Sequence, residues 1–154
     1  MYKTRIAIEQ DIPQIKELFR QTILNVNIKD YSAEQVQCWA SRGDDANIWK
    51  TRIREQYFIV AETENRIAGF AALKPDGYLN SLFVHKDFQG EGIATTLLDH
   101  MESYAWQKGM KEITADVSIT ARSFFEKKGY TVLKDQIVDI GVKMKNFGMK
   151  KELK

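Results

Sequence analysis

The stretch Leu82-Phe83-Val84-His85-Lys86-Asp87-Phe88-Gln89-Gly90-Glu91-Gly92-Ile93-Ala94-Thr95 decides how the chain is read. An apolar run ends at Val84 and a glycine-containing loop follows. An amphipathic helix then opens, with Ile93, Leu97, Leu98, Met101 and Ala105 on one face. Glycine lets backbone approach a ligand because no Cβ intervenes. The first-turn N–H groups of the helix point into the same space, and with the helix dipole they form an anion site. Such a site suits a phosphate or a diphosphate. The alternative for a lone Gly-x-Gly is a strand-to-helix turn that needs glycine for its geometry alone.

Upstream, tight turns join three strands into an antiparallel meander. Tyr57–Thr63 is rich in aromatic and branched residues, Glu64-Asn65 turns the chain, and Arg66–Leu73 is the second strand. Pro75-Asp76-Gly77 makes the next turn. Residues 78–85 form the third strand, apolar on both faces and therefore expected to be central. Before the meander, residues 4–8 read as a strand. Asp11 is expected to cap a helix that has Pro13 in its first turn and ends near Asn25 or Asn27. Ser32 and Gln35 form a capping box for the next helix, which Arg42-Gly43-Asp44-Asp45 breaks in two.

Downstream, Lys108-Gly109 ends the helix that follows the loop. Glu112–Ser118 alternates as a strand, residues 120–128 form a short helix closed by Gly129, and residues 130–139 and 142–153 are the last strands. The fold class is α+β in a single domain over residues 1–154.

Composition narrows the function. Hydrophobic residues are 44% and charged residues 29% of 154, as in an ordinary globular domain. No stretch reaches the roughly 18 apolar residues of a membrane span. The start of the chain lacks the apolar core of a signal peptide, so a cytoplasmic protein without a membrane association is expected. The net charge of +2 supplies no broad footprint for nucleic acid. One cysteine, Cys38, and two histidines, His85 and His100, leave no internal disulfide and no metal centre to expect.

Two phosphate motifs fail. Gly92 is not followed by the lysine of a Walker loop, and Gly90-x-Gly92 lacks the third glycine of the dinucleotide fingerprint. Glu112 does stand about twenty residues beyond, where that fingerprint has its ribose-binding acid, but three consecutive strands precede the loop instead of alternating strands and helices. Gln89-Gly90-Glu91-Gly92-Ile93-Ala94 instead matches Gln/Arg-x-x-Gly-x-Gly/Ala. Ser118-Ile119-Thr120-Ala121-Arg122-Ser123-Phe124-Phe125, with Gly129-Tyr130 beyond, is similar to Asn-x-x-Ala-x-x-Phe-Tyr-x-x-x-Gly-Phe. With the order of elements along nearly the whole chain, these segments resemble the GNAT superfamily, the acyl-CoA-dependent N-acetyltransferases.

The resemblance implies a mixed, mostly antiparallel central sheet of about seven strands flanked by about four helices, with the fourth and fifth strands splayed apart. Acetyl-CoA would be the co-substrate. Backbone groups of Leu82, Phe83 and Val84 would pair with its pantetheine arm, and the amides of Gln89, Gly90, Glu91, Gly92, Ile93, Ala94 and Thr95 would hold its pyrophosphate. Ser118 replaces an asparagine that contacts the arm, and Phe125 replaces the tyrosine proposed as general acid. Phe125 is read either as a cofactor contact or as a plain core aromatic. The acceptor would be a small-molecule or peptide amine, and homodimers are common in the family. Alternation places Asp116 on one face with Ser118, making it the first candidate for base or acceptor contact, or else a surface carboxylate. Tyr78, Asn80 and Tyr31 are further candidate acceptor contacts. His85 suits loop stabilisation better than catalysis, and His100 is expected to be solvated. Trp39 and Trp49 are read as core. A non-catalytic acyl-CoA-sensing module on the same fold is the alternative function.

Overall fold

The computed structural model describes residues 2–154; Met1, the first residue of the stretch read for a leader, lies outside them. The strands are β1 (Lys3–Ile6), β2 (Tyr57–Thr63), β3 (Arg66–Leu73), β4 (Leu79–Val84), β5 (Glu112–Ser118), β6 (Thr131–Asp139) and β7 (Lys143–Glu152). The α-helices are α1 (Ile12–Asn25), α2 (Ala33–Ser41), α3 (Ala46–Glu55), α4 (Ile93–Gln107) and α5 (Arg122–Lys127). The described residues form five α-helices because the Arg42–Asp45 break separates α2 from α3.

The seven strands form two hydrogen-bonded sheets, β1-β2-β3-β4 and β5-β7-β6, all paired antiparallel. Among the described residues a single parallel bridge, Tyr78 to Thr114, joins them. The expectation that β4 is a fully central strand is thus corrected. It pairs with β3 on one side, while its other edge meets β5 at that bridge alone. Its apolar residues on both faces reflect cover by helices, not partners on both edges.

Local chemistry accounts for the boundaries. Glu64 and Asn65 both take positive φ, 48° and 65°, as a tight two-residue hairpin requires. The Ser32–Gln35 capping box forms as read: the Gln35 N–H donates to Ser32 Oγ at 3.1 Å, and the Ser32 N–H donates to Gln35 Oε1 at 2.8 Å. Asp11 departs from expectation, because it makes no cap bond to α1. Its carboxylate accepts the Ile8 N–H at 2.9 Å and both Arg5 terminal nitrogens at 2.8 Å. A buried acid is drawn to the nearest guanidinium, since pairing offsets desolvation better than a cap does.

Two cores flank the first sheet. On one face α4 lies so close to β3 that a Cβ on Gly69 would sit 2.9 Å from Ile93 Cγ2 and 3.0 Å from Leu97 Cδ1. On the other, α1, α2 and α3 cover an aromatic cluster of Phe19, Trp49, Phe58, Phe70 and Phe83. Trp49 is fully buried, packs 5.3 Å from Phe19 between ring centroids, and donates its indole N–H to Gly43 O at 2.9 Å. No described helix is long and apolar enough to cross a membrane.

Candidate functional site

Beyond the Tyr78–Thr114 bridge, β4 and β5 diverge around a cavity of about 680 Å³. Its walls are β4, the end of β5, the loop into α4, α5, and side chains from α2 and α3.

The β4 wall presents main chain. The His85 N–H donates to Ala68 O at 2.8 Å, and Phe83 faces Phe70 in register. Hydrogen-bonded pairs alternate in an antiparallel ladder, so Ser81 and Phe83 turn their amides toward β3 while Leu82 and Val84 turn theirs into the gap. Of the three residues expected to offer backbone there, Phe83 does not: its ring instead packs 4.9 Å from Phe19. The Val84 carbonyl already accepts from Thr22 Oγ1 at 3.0 Å and from the Gln89 side chain at 2.7 Å. Gln89 therefore ties the loop to the strand end. His85 acts similarly, its Nδ1 accepting the Asp87 N–H at 3.0 Å. Burial lowers the His85 pKa, which keeps that nitrogen unprotonated. Exposed His100 has its Nε2 3.2 Å from Thr4 Oγ1.

The loop presents donors. Among the described residues no protein group accepts the N–H of Gln89, Gly90, Glu91 or Gly92, and those of Ile93, Ala94 and Thr95 are the ones a first helical turn leaves open. Gly90 and Gly92 have φ of +76° and +82°, and a Cβ on either would meet nothing within 4 Å. Glycine serves here for its left-handed backbone, not because the protein crowds it. Gln89, Gly90, Gly92, Ile93, Ala94 and Thr95 line the cavity. The Glu91 side chain does not; its carboxylate turns outward to the Tyr2 hydroxyl.

The opposite wall holds Ser118, Thr120 and Phe125. Ser118 Oγ accepts the Ala121 N–H at 3.1 Å, which leaves its own O–H to donate. Thr120 Oγ1 is buried without a partner among the described residues, an orphan that a ligand's amide or carbonyl would satisfy. Phe125, 4% exposed, packs edge-on against Tyr130 and Phe124, so it is a core ring that also closes the cavity.

The remaining side is polar. Asp116 lines the cavity in an exposed position, its Oδ2 accepting from the Tyr78 hydroxyl at 2.9 Å and its Oδ1 from Gln136 Nε2 at 2.8 Å. Burial first, and the Asp116 charge second, push the Tyr78 phenol above its ordinary pKa, so it holds its proton. Tyr78 lies behind Asp116, off the cavity surface. Asn80 lines it. Tyr31 also lines it, but its hydroxyl donates to Lys145 O at 2.7 Å and accepts the Ile119 N–H at 2.9 Å. It thereby pins the start of the α5 segment to β7, and its ring, largely buried, is the part left to meet the cavity. Trp39, half-buried and packed against the second core as read, also lines the cavity between Tyr31 and Phe83. Cys38 donates to Ile140 O at 3.1 Å. No three described His, Cys, Asp or Glu side chains gather as a metal site.

Sequence reasoning passed over Thr120, Gln136, Arg42 and Arg52, all close to this chamber. Arg52 alone carried a usable signal. It stands three residues after Trp49 and one before Ile53, on the face that α3 turns inward.

Comparison with known proteins agrees with this architecture. An acetyltransferase (GNAT) domain model matches residues 27–153. The protein named uncharacterized N-acetyltransferase YafP, from Escherichia coli K12, is 30% identical over 141 residues, which are 91% of this chain and 89% of the relative. A Rhodopseudomonas palustris crystal structure, described as a GCN5-related N-acetyltransferase and as "Aminotransferase, Class-II", superposes with a TM-score of 0.95. It is 33% identical, and the match covers 98% of this chain and 95% of that one. PaiA N-acetyltransferase from Thermoplasma acidophilum, in complex with coenzyme A, shares the fold at a TM-score of 0.84 and 21% identity, with 99% of each chain covered. By the matched domain and the level of identity, the chain belongs to the GNAT family of acetyltransferases.

Proposed function

We propose that the enzyme transfers an acetyl group from acetyl-CoA to a primary amine by direct attack. The observation that carries this reading is the splayed gap with a row of unclaimed loop N–H groups at one end. A thioester carrier offers a diphosphate for the loop and an extended amide arm for the edge of β4. The Leu82 and Val84 amides face that arm, and Thr120 and Ser118 offer hydroxyls across the gap. The coenzyme A bound by the related fold of PaiA supports the same assignment.

The amine must lose a proton before it attacks. With a pKa of about 10.4 that costs about 4–5 kcal/mol at pH 7. Asp116, held by Tyr78 and Gln136, stands at the chamber wall to orient the ammonium and pass its proton to solvent. The amine nitrogen then bonds to the acetyl carbon and the carbon–sulfur bond breaks. A main-chain N–H on the gap edge of β4 meets the oxyanion. The departing thiolate has a conjugate-acid pKa of about 8.5, so it leaves without an obligatory acid and receives, through water, the second proton that the nitrogen loses once it is bonded to carbon. Phe125 cannot supply one, and the mechanism does not ask it to.

A thiol-release assay with acetyl-CoA and a panel of amines tests this. The expected result is amine-dependent release with an N-acetylated product seen by mass spectrometry. Tight acetyl-CoA binding with no amine accelerating release would favour a sensing module instead.

A further inference from the structure

The chain has seven arginines. Five of them, Arg5, Arg20, Arg54, Arg66 and Arg122, each reach a carboxylate at 2.8 to 3.9 Å. Among the described residues, Arg42 and Arg52 have no such partner, and both line the cavity. Arg52 lies over the Trp49 ring at 5.1 Å, and its nearest polar contact is Ser81 Oγ at 3.4 Å. Burial, with Arg42 adding repulsion, lowers its pKa. The Arg42 guanidinium donates to the Ile140 carbonyl at 3.1 Å, its one hydrogen bond among the described residues. Lys145, the other cation on the wall, has Asp135 at 3.6 Å.

A desolvated guanidinium without a counter-ion is costly unless a ligand supplies one. The diphosphate of the thioester carrier is badly placed for this. Its loop follows the Val84 end of β4, whereas Arg52 meets Ser81 three residues earlier, about 10 Å along a strand. The chamber thus offers one anion-seeking group at Arg52 and one amine-seeking group at Asp116. Trp39, Phe83 and Ile140 add apolar surface to the same cavity.

We propose that the acceptor is an amino acid with an apolar side chain, its carboxylate held by Arg52 with Arg42 at the rim and its amine turned to Asp116. This rests on the function proposed above and names its substrate class. A planar fork of N–H donors matches a carboxylate's two oxygens, and Ser81 Oγ adds a third donor. The same cations reject polyamines. The products are an N-acetyl amino acid and the CoA thiol, with the amine's proton released to solvent.

Calorimetry on the full chain saturated with CoA separates this proposal from the transfer chemistry. Leucine and phenylalanine are titrated against their amides, the aminophosphonate analogue of leucine and spermidine. At least one of the two acids should bind ten or more times tighter than its amide. In R52Q that ratio should fall toward one, R52K should restore part of it, and acetyl-CoA affinity should change less than twofold. Binding of neither acid, equal binding of acids and amides, preference for the phosphonate or for spermidine, or a parallel loss of acetyl-CoA affinity in R52Q would each overturn it. Acid-selective binding without acetyl transfer would leave this assignment standing and defeat the catalytic one.

Discussion

The two ends of the cavity are built by opposite means. The loop after β4 works with main chain: seven consecutive residues, two of them left-handed glycines, and side chains such as Glu91 and Gln89 that turn to other tasks. The chamber beside α3 works with side chains that come from β4's approach, α3, β5 and β6, namely Tyr78, Arg52, Asp116 and Gln136. A main-chain site tolerates substitution at most positions and fails where backbone conformation or charge is disturbed. A side-chain site fails one residue at a time. This contrast fits a carrier that is always the same molecule and an acceptor that differs between enzymes of one fold.

The largest expected effect tests the chamber. Asp116→Asn keeps the Tyr78 contact but removes the charge, and should lower kcat/KM for the amine about 100-fold. Acetyl-CoA affinity, measured by calorimetry, should barely move. An unchanged rate from pH 6 to 9 would remove Asp116 from proton handling.

Gly92→Asp tests the loop. Space is open there and Asp tolerates left-handed backbone, so the fold should survive. Its carboxylate at an anion site should weaken acetyl-CoA binding at least tenfold, about 1.4 kcal/mol. An unchanged affinity would mean that the diphosphate lies elsewhere.

Thr120→Val sits between the two regions. It deletes a buried hydroxyl without a protein partner, so the melting temperature should hold or rise. Acetyl-CoA affinity should fall by about 1 kcal/mol, or fivefold, if the pantetheine arm uses that hydroxyl. A drop in melting temperature instead would show a protein or solvent partner for it.

The smallest effect concerns His85. Burial holds its pKa below the ordinary 6.5. The stability it contributes is therefore complete above that ordinary value and is lost as pH falls through the lower folded one. Thermal melts should show a decline below pH 6.5 that His85→Asn reduces, because an amide oxygen can accept the Asp87 N–H without titrating. Identical pH curves for the two proteins would dismiss the effect.

Much of the fold is legible in the sequence. β2, β3 and β5 carry their boundaries in alternation and in the turns Glu64-Asn65 and Pro75-Asp76-Gly77. The loop was legible because glycine spacing is a backbone signal and the donors it creates are consecutive. Asp11 was misread because a cap and an ion pair draw on the same carboxylate, and the choice depended on Arg5 reaching it. β4 was misjudged as central because apolar residues on both faces report cover by helices and say nothing about edges. Helical spacing reads Trp39 as core, which it is in part, but does not show that the same ring lines a cavity.

By itself, then, the order of residues determined the elements, the meander and the glycine loop, since each depends on neighbours a few positions apart. Only the tertiary structure decided where β4 and β5 part, that Thr120 Oγ1 has no partner among the described residues, and that Arg42 and Arg52 line one chamber with no carboxylate among the described residues paired to either. The reason is physical. Solvation and pairing of a charge are set by what the folded chain brings near it, and residues dozens of positions away do so here.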